Sequence, residues 1–110
     1  MTAAQPGTIQ PLTARRRIIV AIAAAAAGSA PGVLRVGRGG PRPLAWLAGD
    51  PVETRLVDGL VHVRLWLIVT AGRPFADVSA RVRVAVRAAI EQQLGLALGD
   101  VTVFIDGVGG

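Results

Sequence analysis

The chain contains one histidine, His62, and it has no cysteine. Imidazole is the side chain whose ordinary titration falls near neutral pH, which makes His62 the first candidate for proton transfer. A general base needs a nucleophile and an orienting acid within hydrogen-bond reach. Asp58 lies four positions away, about 13 Å along an extended strand. The two serines, Ser29 and Ser79, stand far from both in sequence. His62 therefore reads as a strand-surface residue. The absent cysteine removes a thiol nucleophile, a thiolate metal site and a disulfide framework. The seven acids are scattered, without the close carboxylate or carboxylate–histidine pairs that seat a cation. Gly37-Arg38-Gly39-Gly40 is glycine-rich, but it lacks the Lys-Ser/Thr end of a phosphate loop and reads as a flexible connection. The expectation is a non-enzymatic chain with no catalytic, cofactor or metal site.

The composition explains what remains. Of 110 residues, 52% are hydrophobic but 4% aromatic, so the apolar mass is aliphatic. All twelve basic residues are arginine, giving a net charge of +5. A chain this long forms one domain that buries roughly 60–70% of its unfolded surface. Arg15-Arg16-Arg17, the apolar run Ile18 to Ala27 and then Gly28-Ser29-Ala30 have the ingredients of a signal peptide. The run is alanine-rich and weakly apolar, and Pro31 follows directly on the candidate cleavage site. Secretion is thus the minority reading and a cytoplasmic location the expected one. Ten apolar residues are also half of the roughly 20 that span a bilayer.

Residues 1–12 carry two prolines and no periodicity, and are expected to form a disordered tail. Thr13 is a candidate N-cap for a helix from Ala14, with Ile18, Ile22 and Ala25 on its apolar face, Ile19 and Ala26 beside them, and Gly28 as its stop. Val33 to Val36 suits a short strand; the segment after it, with Arg38 and Arg42, suits a loop. Val52–Val57, Asp58-Gly59 and Leu60–Thr70 predict a β-hairpin closed by a type I′ turn. A second helix, capped by Asp77 or Ser79, runs to Leu94 with Val78, Val82, Ala85, Val86, Ala89 and Ile90 inward and Gly95 as its C-cap. Val101 to Ile105 form a last strand. This order predicts an α+β two-layer sandwich, with two helices on one face of a three- to four-stranded antiparallel or mixed sheet.

Alternation then sorts the long strand. Val61, Val63, Leu65, Leu67 and Val69 make a core face; His62, Arg64, Trp66 and Ile68 make the other, beside Thr102, Phe104 and Asp106 and next to Glu53 and Arg55. Two aromatics and an isoleucine with a charged rim constitute a candidate interface, unless the tail or residues 44–51 cover them. As a protein-interaction surface it would be anchored by Trp66. As a single-stranded nucleic-acid surface it would stack bases on Trp66 and Phe104, with Arg55 and Arg64 on phosphates. The interleaved acids would repel phosphate and favour the protein reading. Arg15, Arg16, Arg17, Arg35, Arg38 and Arg42 are candidate contacts to an anionic surface, including a membrane.

The sequence also carries a family likeness. Ile22-Ala23-Ala24-Ala25 and Pro31-Gly32-Val33 are followed by Val69-Thr70-Ala71-Gly72, by Ile90-Glu91-Gln92-Gln93-Leu94-Gly95-Leu96, and by Val101 to Val108. In this order and spacing the chain resembles the alkaline shock protein family of bacterial envelope stress response proteins, over residues 14–108. It differs from better-known members in its short N-terminal tail and in using arginine where lysine and glutamate are more usual. The resemblance implies one non-enzymatic cytoplasmic domain spanning residues 13–108. It further implies a role in cell-envelope homeostasis and an integral membrane partner that holds the domain near the inner membrane surface; the sheet face would pair with such a partner or with another copy of the chain.

Overall fold

A computed structural model describes residues 12–39 and 50–109. Its elements are α1 (Leu12–Gly28), β1 (Val33–Val36), β2 (Val52–Val57), β3 (Leu60–Thr70), α2 (Phe75–Leu94) and β4 (Leu98–Gly109). β3 is the centre of a mixed sheet. β1 and β2 both run antiparallel to it, and β4 runs parallel on its other side. A parallel neighbour needs a crossover rather than a tight turn, and α2 supplies it.

β1 and β2 share one edge of β3 end to end. Val52–Val57 pair with Leu65–Leu60, and Val33–Val36 pair with Val69–Leu67. Trp66 sits at the junction: its N–H donates to the Pro51 carbonyl and its carbonyl accepts from the Gly37 N–H, both at 2.9 Å. The hairpin turn is of the expected type. Asp58 and Gly59 both take positive φ, 52° and 79°, as a type I′ turn requires.

Both helices pack on the same face of the sheet, which makes the two-layer α+β sandwich that the element order predicts. Val63, Leu65, Leu67 and Val69 of β3 are fully buried there, together with Val78, Val82, Val86 and Ile90 of α2. Those four α2 residues recur every fourth position and form a single stripe. Complete burial of such side chains contributes about 1.5–3 kcal/mol each. α2 ends as predicted on Gly95, in the left-handed region at φ 65°, with its N–H bonded to the Glu91 carbonyl.

Four sequence expectations shift. α1 begins by Leu12, so Leu12 is helical rather than part of a tail and Thr13 lies inside the helix; residues 1–11 are outside the described residues. The buried stripe of α1 is Ile19, Ala23 and Ala27, with Ile22 and Ala26 beside it, while Ile18 and Ala25 face solvent. A helix whose second half is an alanine run, Ala23 to Ala27, has too little contrast between its faces for periodicity to fix the phase. α2 is preceded by Pro74 at φ −65°, without a side-chain cap; Asp77 sits in the first helical turn, where its charge favours the helix dipole. Finally, β4 is twelve residues long, extending the predicted strand at both ends.

Candidate interface on the outer face of the sheet

The sheet face away from the helices carries the predicted side chains, because a strand's neighbours alternate between faces. Register places Trp66 beside Phe104, Arg64 beside Thr102 and Glu53, and His62 beside Arg55. The Trp66 and Phe104 rings stack, with centroids 4.9 Å apart and planes 21° from parallel. Arg38 lies over the Trp66 ring, its guanidinium carbon 3.5 Å from the centroid, and Arg64 stands 5.4 Å from both rings. Glu53 ties the two cations together, at 3.2 Å from Arg38 and 3.6 Å from Arg64. Arg38 also donates to the Asp50 carbonyl through Nε and an η nitrogen, at 3.3 and 3.2 Å. One carboxylate between two guanidiniums and two stacked rings make a single connected cluster.

The chain after β1 explains how Arg38 arrives there. β1 lies on one side of β3 and β4 on the other, yet the Gly39 N–H donates to the Asp106 carboxylate on β4. Residues 37–39 therefore cross β3 on its outer face as a short strap. A Cβ on Gly39 would collide with the Asp106 backbone carbonyl, so the crossing requires glycine.

Ile68 departs from expectation: it is buried, at 6% exposure, rather than part of an exposed patch. Both of its neighbours bulge at this point, β1 between Val33 and Arg35 and β4 between the partners of Leu67 and Ile68. A bulge sets an extra residue against one partner and re-aims side chains. Here it brings Gly107 against Ile68, where an added Cβ would meet Cδ1 at 3.0 Å. Ile68 is thus packing, not contact surface.

His62 is placed on the outer face as predicted. Its Nδ1 accepts the Asp100 N–H at 3.1 Å, and its ring lies over Gly99, where a Cβ would sit 2.7 Å from each ring nitrogen. The Asp100 carboxylate stands 3.9 Å from Nδ1, and no third metal-type ligand joins them among the described residues.

The candidate anionic contacts separate into three sets. Arg15, Arg16 and Arg17 are exposed on α1, and Arg35 is exposed on β1. Arg38, with 19% of its side chain exposed, is committed to Trp66, Glu53 and Asp50 and is not a free surface cation. Arg42 lies outside the described residues, as do most of residues 44–51, which the sequence offered as a cover for Trp66. Sequence reasoning missed Arg38 as the cover and Glu53 as the link between the arginines. Glu53 had a signal, since the hairpin register sets it opposite Arg64.

No protein-family profile matches the chain. Among curated proteins it is 28% identical over 57 residues to the uncharacterized protein YloU of Bacillus subtilis, which is 52% of this chain and 48% of that one. The chain thus spans about half the length of the curated relative it matches. Among solved structures it is similar in fold to MamM CTD. A manganese form of a MamM CTD variant superposes with TM-score 0.52 at 16% identity, covering 83% of this chain and 96% of that one. A zinc form superposes with TM-score 0.51 at 15% identity, covering 86% and 84%. At such identities the likeness is one of fold. No helix among the described residues is long and apolar enough to cross a membrane.

Proposed function

We propose that this chain is a non-enzymatic protein-interaction module of the alkaline shock type, acting in cell-envelope homeostasis. It docks through the outer face of its sheet, to a second copy or to an integral membrane partner that holds it at the inner face of the membrane. The observation that carries this reading is the cluster of Trp66, Phe104, Arg38 and Arg64 on the face opposite both helices. Phe104 remains 36% exposed and Arg64 43%, so the cluster offers contact area at its β4 side while its β2 side is held by Glu53. A rigid, pre-ordered aromatic with adjoining arginine is the residue pattern that concentrates binding energy in protein interfaces. The resemblance of its motif order to that of alkaline shock proteins supports the biological role, and the match over half the chain to a Bacillus subtilis protein supports a bacterial setting.

The geometry weighs against base stacking. Arg38 already occupies a face of Trp66, and Glu53 draws the charge of both neighbouring arginines away from an incoming phosphate. The test is Trp66→Ala combined with Phe104→Ala, read by sedimentation equilibrium and by co-purification with detergent-solubilised membrane proteins, from which the bilayer surface has been removed. Loss of assembly with an intact fold is expected. Unchanged assembly would remove the interface from this face, and tight, salt-sensitive binding of a single-stranded oligonucleotide would replace the protein reading.

A further inference from the structure

The hairpin turn and the start of α1 lie together and line one cleft. Around the tight turn at Asp58-Gly59, Leu56 is 63% exposed, Val57 41% and Leu60 38%; Ile18 on α1 is 41% exposed. A two-residue turn needs no aliphatic flank to form, so three exposed aliphatics within five positions are not explained by the hairpin itself. Arg15, Arg16, Arg17 and Arg55 are exposed on the same two elements. Arg15, Arg16 and Arg55 line a cleft of about 300 Å³ together with Ile19, Leu56 and Leu96, and no acid lines it. An adjoining cleft joins Arg15 to Ile18 and is equally free of acids. The ion pairs found among the described residues use Arg38, Arg64 and Arg87, and none uses these four arginines. Asp58 is the acid at the turn, and a further cleft sets Arg16, Arg17 and Arg55 with Asp50 and Glu53; Glu53 there is held by Arg38 and Arg64.

We propose that this surface docks on an anionic phospholipid bilayer, with the aliphatic tip entering the headgroup–acyl boundary and Arg15, Arg16, Arg17 and Arg55 contacting lipid phosphates. Guanidiniums around an exposed aliphatic tip match the order of a membrane surface, phosphate outside and hydrocarbon beneath. Among the described residues no aromatic side chain lines either acid-free cleft for a base to stack on, which separates them from a nucleic-acid surface. The lipid contact uses no residue of the Trp66 cluster, so this proposal and the interface reading stand or fall separately.

The full chain is cosedimented with vesicles of mixed phosphatidylglycerol and phosphatidylcholine, and with phosphatidylcholine vesicles alone. Binding to the anionic vesicles is expected, together with little binding to the neutral ones. Arg15→Gln, Arg16→Gln and Arg55→Gln are each expected to weaken it about fivefold. Leu56→Ser with Leu60→Ser is expected to abolish the binding that persists at high salt. Arg81→Gln with Arg83→Gln on α2, and Trp66→Ala, are expected to leave it unchanged. All the substituted arginine and leucine positions are exposed, and circular dichroism verifies the fold. Equal binding to neutral vesicles, no binding to anionic ones, equal loss from the α2 arginine pair, or binding of an oligonucleotide in place of vesicles would each overturn the proposal.

Discussion

Replacing Arg38 by alanine tests how the outer face is held together. The substitution removes a guanidinium stacked 3.5 Å from the Trp66 centroid, an ion pair at 3.2 Å to Glu53, and two donors to the Asp50 carbonyl. A largely desolvated cation–π contact contributes about 1–2 kcal/mol. The ion pair adds at most about 0.5 kcal/mol, because Glu53 is 41% exposed and water screens it. The two donors share one acceptor and contribute about 1 kcal/mol together. These contributions overlap within one cluster, so the expected loss is about 2 kcal/mol, or about 10 °C in Tm for a domain of this size. Denaturant unfolding and calorimetry measure it. A Trp46→Phe background leaves Trp66 as the sole reporter, and its fluorescence is expected to shift red and to become more accessible to acrylamide. Arg38→Lys keeps the charge but not the planar stack, and is expected to fall between the two. A loss below about 0.5 kcal/mol with unchanged quenching would refute the claim that Arg38 holds Trp66 in place.

Two further substitutions probe the framework. Ile90→Ala, at a fully buried position in the α2 stripe, is expected to cost about 2–5 kcal/mol in denaturant unfolding; a cost below 1 kcal/mol would mean that α2 does not close the core as described. Gly39→Ala forces a Cβ into the Asp106 carbonyl and is expected to lift the strap. The same Trp66 quenching assay is expected to report greater accessibility without loss of the overall fold, and no change would mean that the strap does not cross β3.

The elements that the sequence made legible are those with strong contrast. From Val61 to Leu67 β3 alternates valine and leucine with polar or aromatic residues, and its buried face is the predicted one. Asp58-Gly59 specifies its turn through two positive φ angles. Val78, Val82, Val86 and Ile90 specify the α2 face, and Gly95 its end. Legibility failed where contrast was low or where the cause was tertiary. The alanines of α1 left its rotation open between the Ile18 and Ile19 faces, and packing against the sheet decided for Ile19. Ile68 follows the alternation of β3, but two bulges on neighbouring strands bury it. The pairing of Trp66 with Phe104 was implicit in which residues share a face. The Arg38 cover was not, because it depends on β1 and β2 meeting end to end at Trp66 and on a strap that crosses to β4. Local periodicity carries no information about such a crossing.

The central claim, that the outer face is the docking surface, is tested most directly by hydroxyl-radical footprinting of the wild-type chain before and after assembly. Labelling is followed residue by residue at Trp66, Phe104 and Val84, the last of which is 69% exposed on α2, away from the sheet face. Assembly is expected to protect Phe104 and Trp66 and to leave Val84 as reactive as in the free chain. Protection of Val84 with Phe104 and Trp66 unchanged would contradict it and move the interface to the helical layer.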